Sequence, residues 1–321
     1  MNLRRLGRTG LEVSPIGLGT LQFANHGLAE RMYHAGIDQD GVDAVVKAAL
    51  HGGVNWFDTA EMYGRGQSER MLSTALRHNG IQPGEVRGAT KWSPGLRTAS
   101  NISATIGDRL EALQGYPIDL HQIHLAVGSF SGHRAQLRKM AKLQQDGVIG
   151  AIGVSNFSAR QLERAVAVLR EAGLVLSSNQ VQINLLHRQI ESNGVLEVAR
   201  RHGVTLIAYS PLASGLLTGR FHADPASLKT LSGFRRHLGG FNEKRLTRTA
   251  PLVDELRAIA ASYDVTAGQV ALNWLITFYG DTVVAIPGAS KPSQAAESAA
   301  AMDFQLTRRE LDRLAELSAQ G

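Results

Sequence analysis

Asp58 closes the apolar run V-N-W-F at residues 54–57, and Tyr63 stands five residues further on, past a short turn. A carboxylate at a strand end and a phenol just beyond it can act as a proton-handling pair. Two more groups extend that chemistry: Lys91, after the apolar run 86–90, and His124, after 118–123. A free tyrosine has a pKa of about 10, too high for easy proton exchange near neutrality. A lysine ammonium close to the phenol favours the phenolate and lowers that value. Asp58 would hold Lys91 charged and aimed, while a histidine can orient a carbonyl oxygen or share the proton. Such a set protonates an alkoxide as it forms, and it needs a hydride donor. The chain has no cysteine, which excludes disulfides, thiol nucleophiles and Cys-rich zinc sites. No evident metal site, P-loop or His-Glu-x-x-His motif accompanies the four residues.

Four side chains so far apart meet only if the elements carrying them are neighbours. Strand-like runs at 16–19, 54–57, 86–90, 118–123, 149–154, 178–181, 205–209 and 283–286 alternate with helical patterns at 38–50, 68–77, 101–113, 134–146, 159–170, 194–202, 251–263 and 292–301. Alternation of this kind implies a parallel sheet with right-handed crossovers. Eight units in 321 residues fit an α/β fold of the closed (β/α)₈ TIM-barrel type, about 250 residues before insertions. The whole chain, residues 1–321, is expected to form one such domain. Short alternations at 3–6 and 11–14, around Gly7-Arg8-Thr9-Gly10, predict an N-terminal hairpin that plugs the barrel bottom. The segment 210–250, an extra helix at 267–278 and a C-terminal helix from Thr307 account for the rest. A doubly wound sheet is the rival fold, and Gly64-Arg65-Gly66-Gln67-Ser68-Glu69 begins like its glycine fingerprint. However, Glu69 takes the last glycine's place and the string follows the second strand, so it reads as a loop.

Function in a barrel sits at the C-terminal ends of its strands. Those ends carry, in order, Asp58 with Tyr63, then Lys91, His124, Ser155-Asn156, Gln180 and Tyr209. Each has an ordinary structural use when taken singly. Asp58 would cap a helix, Lys91 would be a solvated loop charge, and His124 a satisfied core histidine. Gln180 would be a structural amide and Tyr209 a core aromatic. The ordered series carries the functional reading.

Asp58, Tyr63, Lys91 and His124 resemble the catalytic tetrad of the aldo-keto reductase superfamily. The surrounding strings are similar too: F-D-T-A-E-M-Y-G from Phe57, A-T-K from Ala89, D-L-H-Q-I-H from Asp119, G-V-S-N-F from Gly153, S-N-Q-V from Ser178 and A-Y-S-P-L from Ala208. The likeness runs from Leu6-Gly7-Arg8-Thr9-Gly10 to Ile286-Pro287-Gly288-Ala289. It implies that Tyr63 is the general acid, Lys91 tunes it, Asp58 pairs with Lys91, and His124 positions the carbonyl. It further implies that Ser155, Asn156 and Gln180 hydrogen-bond a nicotinamide carboxamide and that Tyr209 stacks on the ring. Ser210, Leu212, Gly215 and Leu217 would line the pyrophosphate, with Arg220 nearby. Gly288, Lys291, Gln294, Glu297 and Ser298 match the segment that holds the adenosine end.

The same resemblance sets the cofactor and the limits. Lys291 stands where relatives often place a base near the 2′-phosphate, so NADPH/NADP is expected in preference to NADH. Leu125-Ala126-Val127-Gly128 follow His124 where many relatives have Trp-Pro, Ser298 replaces a common Asn, and the chain is expected to lack the long C-terminal loop of steroid- and aldose-reducing members. The substrate-entrance chemistry is therefore this chain's own. Leu21, Phe23, Trp92 and Phe130 are the pocket candidates by position. The insertion 221–248, with Arg235, Arg236, Lys244, Arg245 and Arg248, reads as a flap over the cofactor or a solvated excursion.

Composition sets only the broad class. Hydrophobic residues make up 43% and charged residues 19%, the balance of a globular protein with a sizeable core. The formal charge is +6 and the pI about 9.8, but the basic residues are scattered and match no nucleic-acid-binding pattern. They read as a solvated surface or as a field for an anionic cofactor. No apolar run reaches membrane-spanning length and the N-terminus does not resemble a signal peptide. The expectation is a cytoplasmic, NADPH-dependent reductase of aldehydes or ketones, with no membrane, nucleic-acid or metal partner; the sequence does not fix its oligomeric state. Two alternatives stand beside it: an NAD(P)-dependent sugar or alcohol dehydrogenase on the same fold, and a cofactor-binding sensor or channel-subunit-like module with incidental turnover.

Overall fold

The computed structural model describes residues 2–24, 37–231 and 241–320. The chain opens with an antiparallel hairpin of β1 (Arg4–Arg5) and β2 (Glu12–Val13). The barrel repeat begins at β3 (Leu18–Gly19) and α1 (Gln39–His51), followed by β4 (Trp56–Asp58) and α2 (Gln67–His78). After β5 (Arg87–Trp92) come two short helices, α3 (Ser100–Ala104) and α4 (Ile106–Ala112). Next are β6 (Leu120–Ile123), α5 (His133–Gln145), β7 (Ala151–Ser155) and α6 (Ala159–Glu171). Then come β8 (Leu176–Gln182), α7 (Val195–His202), β9 (Thr205–Tyr209) and the short α8 (Arg220–Ala223). The long α9 (Glu243–Tyr263), α10 (Ala267–Phe278), β10 (Val283–Ala285), α11 (Pro292–Ala300) and α12 (Arg308–Gln320) complete the order.

Strands β3 to β10 form one eight-stranded sheet in sequence order, every pair parallel. The residues before β3 join β10 and close it: the Gly17 N–H donates to the Ala285 carbonyl at 2.8 Å and the Ala285 N–H to Pro15 at 2.9 Å. Because side chains alternate along a strand, one set points into the barrel and the other toward the helices. Trp56, Ala89, Leu120, Ala151, Ile207 and Val284 fill the lower interior together with Leu6 and Val13 of the hairpin. The hairpin thus plugs the bottom as the sequence implies. Gly7 makes this possible: its φ is +62°, and a Cβ there would lie 2.5 Å from the Ser177 carbonyl oxygen. Its N–H also bonds Thr205 Oγ1 at 2.7 Å, tying the hairpin to β9.

The outward strand faces pack on the apolar stripes of the helices, such as Val42, Val45, Val46 and Ala49 of α1, in the main core. Side-chain caps mark several helix starts: Asp38 accepts from the Gly41 N–H at 2.9 Å, and capping boxes begin α6 (Ser158, Gln161) and α10 (Thr266, Gln269).

Two helices differ from their sequence patterns. The pattern at 101–113 is broken at Thr105, whose φ of −109° and ψ of 3° leave the helical region, so that α3 and α4 stand in its place. The helix expected from Pro251 starts instead at Glu243, capped by Asn242, and carries Pro251 inside it. The missing donor falls opposite the exposed Thr247, where the freed carbonyl can meet water. Much of the described part of the 221–248 insertion is therefore helical, with α8 and a 3₁₀ turn (Pro225–Thr230) preceding α9. Arg235 and Arg236 lie outside the described residues.

Candidate active site

The upper interior of the barrel is polar. Asp58 and Lys91 are inward residues of β4 and β5, one step above Trp56 and Ala89, and both are buried. Lys91 Nζ pairs with Asp58 Oδ1 and donates to the Thr59 carbonyl at 2.8 Å. Asp58 Oδ2 accepts from Gln122 Nε2 at 3.0 Å and Gln180 Nε2 at 2.9 Å. Burial alone would lower the Lys91 pKa, but the Asp58 carboxylate and Tyr63 outweigh it, and the ammonium is held above its ordinary value.

Tyr63 rides on the loop after β4. Its N–H bonds the Ala60 carbonyl at 3.0 Å, and its own carbonyl receives the Ser68 N–H from α2 at 3.2 Å. Lys91 Nζ lies 5.1 Å from the centre of the phenol ring. His124 meets that ring edge-on with centres 5.7 Å apart. Burial, with the Lys91 charge beside it, drives the His124 pKa down to about 3, so the imidazole is neutral at ordinary pH. It can hydrogen-bond an oxygen but is no reservoir of protons there. The four predicted residues therefore converge on one mouth.

The expected nicotinamide residues form a connected patch beside them. Tyr209 Oη donates to Asn156 Oδ1 at 3.1 Å, Asn156 Nδ2 donates to Ser155 Oγ at 3.1 Å, and Ser155 Oγ donates to the Gln180 carbonyl at 2.9 Å. Asn156 is exposed, with φ of 59°. The Gln180 side chain is turned inward onto Asp58, away from a purely cofactor-facing role.

The backbone after β9 is bent sharply. Ser210, Ala213, Ser214 and Gly215 all have positive φ, between 49° and 95°, and the turn is closed by Ala213 N–H to Ser210 O at 3.0 Å and Gly215 N–H to Leu212 O at 2.9 Å. Leu212 packs on the core, and Leu217 is fully buried with its N–H on the Leu212 carbonyl at 3.3 Å, so neither offers a side chain to a ligand. Arg220 is exposed and its guanidinium lies 4.4 Å from the Phe221 ring centre.

The segment after β10 adjoins this bend at the start of α10. A Cβ on Gly268 would be 3.3 Å from Glu297 Oε1 and 3.5 Å from Thr218 Cγ2. Glu297 Oε1 accepts from Thr266 Oγ1 at 2.5 Å, and Gln294 Oε1 accepts the Ser290 and Lys291 N–H groups at 2.9 and 3.2 Å. Gly288 and Lys291 are exposed, whereas Ser298 is buried. A half-buried Tyr209 ring, a bend with positive φ and the exposed cations Arg220 and Lys291 are the residue types that a phosphorylated dinucleotide needs. Among the described residues, no group of three or more His, Asp or Glu side chains is placed to hold a metal.

Of the four pocket candidates, Phe23 and Trp92 belong to the core, being 0% and 1% exposed. Strand alternation is the reason: Lys91 points inward, so Trp92 points outward, where its indole N–H bonds Asn101 Oδ1 at 2.9 Å. Leu21 is half-buried and Phe130 is exposed. Phe130 has company in exposed Leu125 and Val127, from the stretch the sequence marks as the entrance, and in exposed Met62 and Leu96, which the sequence reading did not single out. The loops after β5 and β6 are stitched together by Leu96 N–H to Gly128 O at 2.7 Å and Phe130 N–H to Arg97 O at 3.0 Å. The mouth is therefore rimmed by apolar side chains.

Gln122 is the interior residue the sequence reading missed. It sits two positions before His124 on the same inward face, and that period-two relation was its one signal. Space for it comes from Gly153, where a Cβ would lie 2.8 Å from Gln122 Cγ and 2.4 Å from Ser178 Oγ.

A closed parallel barrel with a buried carboxylate–ammonium pair beneath a phenol and a neutral imidazole is the architecture of a barrel oxidoreductase. The sequence profile of the Aldo/keto reductase family matches residues 15–319, and the chain belongs to that family. An uncharacterised oxidoreductase of Mycobacterium tuberculosis is 38% identical over 311 residues, covering 94% of this chain and 88% of that protein. The chloroplastic pyridoxal reductase of Arabidopsis thaliana is 31% identical over 313 residues, 94% of this chain and 82% of the relative. Among solved structures, the glycerol dehydrogenase of Gluconobacter oxydans superposes with a TM-score of 0.81 at 28% identity, covering 99% of this chain and 95% of that one. No helix among the described residues is long and apolar enough to cross a membrane.

Proposed function

We propose that the protein reduces an aldehyde or ketone to the alcohol, with NADPH as the nucleotide that supplies the hydride when bound. Tyr63 gives its proton to the carbonyl oxygen as negative charge builds there. Lys91 stabilises the phenolate left behind, and Asp58 keeps Lys91 charged and fixed. Neutral His124 orients the carbonyl by hydrogen bonding. Ser155, Asn156 and Tyr209 would face the nicotinamide. The bend at Ser210, Leu212, Gly215 and Leu217, with Arg220, would follow the pyrophosphate. Gly288, Lys291, Gln294, Glu297 and Ser298 would flank the adenosine end, with Lys291 placed for a 2′-phosphate. Gln180 would act chiefly through Asp58. The apolar rim favours substrates with an aromatic or aliphatic body over fully hydroxylated sugars.

The observation that carries this reading is the buried Asp58–Lys91 pair set 5.1 Å from the Tyr63 ring. A buried cation next to a phenol at a barrel mouth has little structural purpose and a clear chemical one. The likeness to a glycerol dehydrogenase favours a second reading, the same site oxidising an alcohol, since this proton chemistry is reversible. Tyr63→Phe should bind NADPH as the parent does but lose carbonyl turnover by about a hundredfold or more. Reduction by Tyr63→Phe at the parent rate would remove Tyr63 from the mechanism. Steady-state rates in both directions, across aromatic aldehydes, ketoses, pyridoxal and methylglyoxal, separate the two readings.

A further inference from the structure

Outside the barrel wall, behind the Tyr63 loop, lies a second buried charge cluster that the mechanism above does not use. Glu61, two residues before Tyr63, is 6% exposed. Its Oε1 accepts the Ser93 N–H at 2.6 Å and pairs with Arg97 Nη2 at 2.9 Å. Its Oε2 pairs with Arg109 Nη1 at 2.7 Å. Arg109, from α4, is 8% exposed and uses its Nε to reach Glu69 Oε2 of α2 at 2.9 Å. Glu69, fully buried, accepts from Thr90 Oγ1 at 2.5 Å through its other oxygen. Buried His121 completes the surroundings; burial, then the Arg109 charge, holds it neutral with a pKa of about 3.

The connectivity of this cluster is informative. Thr90 is the outward neighbour of Lys91, and Glu61 sits on the loop that presents Tyr63. The path Lys91, Thr90, Glu69, Arg109, Glu61, Tyr63 runs through side chains behind the barrel wall and joins the two residues whose separation governs the proton transfer. Backbone bonds alone hold the loop at a few points, Glu61 N–H to Lys91 O at 3.3 Å and Gly66 N–H to Glu61 O at 2.8 Å among them. An ordinary loop anchor needs one buried contact. Three charged groups taken out of water are a costly way to get it, and they are justified where a distance must be kept to fractions of an ångström.

We propose that Glu61, Arg109 and Glu69, with Thr90 and Arg97, form a positioning network that fixes the Tyr63 phenol at its working distance from Lys91. None of the five is a catalytic residue. The proposal rests on the reading of Tyr63 as the acid. Coulomb attraction falls with distance, so a 1 Å retreat of the ring from Lys91 would raise the phenol pKa by about half a unit.

The test compares Glu61→Gln, near-isosteric but uncharged, and Thr90→Val with the parent, reading nucleotide Kd by fluorescence, kcat, KM and the alkaline limb of the kcat–pH profile. The expected result for Glu61→Gln is a Kd within about twofold of the parent, a kcat lowered about threefold, and an alkaline limb moved up by about half a pH unit. Thr90→Val should move the same quantities in the same direction by less. A folded Glu61→Gln with parent kcat and a superimposable pH profile overturns the proposal. If Glu61→Gln does not fold, Arg97→Ala, with a side chain 34% exposed, decides the question. A twofold or larger fall in kcat with the limb moved upward supports the network, and parent-like values overturn it. Tyr63→Phe run in parallel keeps the two failures apart. Parent turnover there sinks the acid assignment, whereas an inactive Tyr63→Phe beside a parent-like Glu61→Gln sinks only the network.

Discussion

Replacing Lys91 by methionine removes the buried charge while keeping most of the side-chain volume. The ammonium lies 5.1 Å from the Tyr63 ring centre. At an effective dielectric of ~20, a unit charge at that distance stabilises the phenolate by about 3 kcal/mol. That corresponds to ~2 pKa units on the phenol and roughly a hundredfold in kcat. Stability should also fall, by about 3–5 kcal/mol, because Asp58 loses its counter-charge while staying buried. Gln122 and Gln180 still serve Asp58 Oδ2, but Oδ1 is left bare.

The double variant Asp58→Asn/Lys91→Met separates those effects, since it buries no unpaired charge. It should recover most of the lost stability and none of the lost rate. Urea unfolding measures the first quantity, and NADPH oxidation with a good carbonyl substrate from pH 5 to 9 measures the second. If Lys91→Met keeps kcat within about threefold of the parent, with an unmoved alkaline limb, the charge is not tuning the phenol. If the double variant regains rate along with stability, the loss in the single variant was structural.

Two further outcomes follow from groups on either side of this pair. The His121 pKa is pulled to about 3 by burial and then by Arg109, below the ~6.5 of an unfolded chain. Protons therefore bind the unfolded form preferentially between those values; stability is complete above about pH 6.5 and falls as pH drops toward 3. At pH 5.5 the loss from this one group is about 1 kcal/mol, readable as a lower urea midpoint than at pH 7.5 and reduced in His121→Gln. An unchanged pH dependence in that variant would show that His121 is not the group responsible. Lys291 is exposed, so its pairing with a 2′-phosphate is screened and worth about 1 kcal/mol. Lys291→Ala should lower kcat/KM with NADPH roughly fivefold and leave NADH unaffected, and similar efficiencies with both nucleotides in parent and variant would refute the preference.

Much of the scaffold could be read from one-dimensional periodicity. Each parallel strand of the barrel is a short apolar run followed by a helical stripe, and that alternation needs no knowledge of distant contacts. Local rules failed at two helices. Thr105 leaves helical geometry and divides one of them, while α9 ran through Pro251 because the proline fell on a solvent-facing turn. Asp58, Lys91 and His124 were legible because they sit at strand ends on the inward face. The same alternation excludes Trp92 from the mouth, and applying it strictly would have exchanged Trp92 for Gln122. Part of the apolar rim was harder to see: Leu125, Val127 and Phe130 could be marked from their position after a strand end, whereas Met62 and Leu96 resemble core residues until their loops are built.

The least legible part was the charge network, and electrostatics explains why. Glu61, Glu69, Arg97 and Arg109 look like the solvated residues of any helix or loop, and nothing local marks them for burial. Arg109 meets Glu61 and Glu69 across 48 and 40 residues, a pairing set by how α2 and α4 pack on β5. Interior polar groups, by contrast, follow from a chain of necessity. A lysine placed inside the barrel must have a carboxylate, and Asp58 supplies it. A buried carboxylate has more acceptor sites than one ammonium fills, so further donors must face it, and the inward positions of β6 and β8 carry Gln122 and Gln180. Uncharged amides satisfy the oxygen without competing for the charge on Lys91. A second cation in either place would weaken the pull of Asp58 on Lys91, and an apolar residue would leave Oδ2 short of a donor.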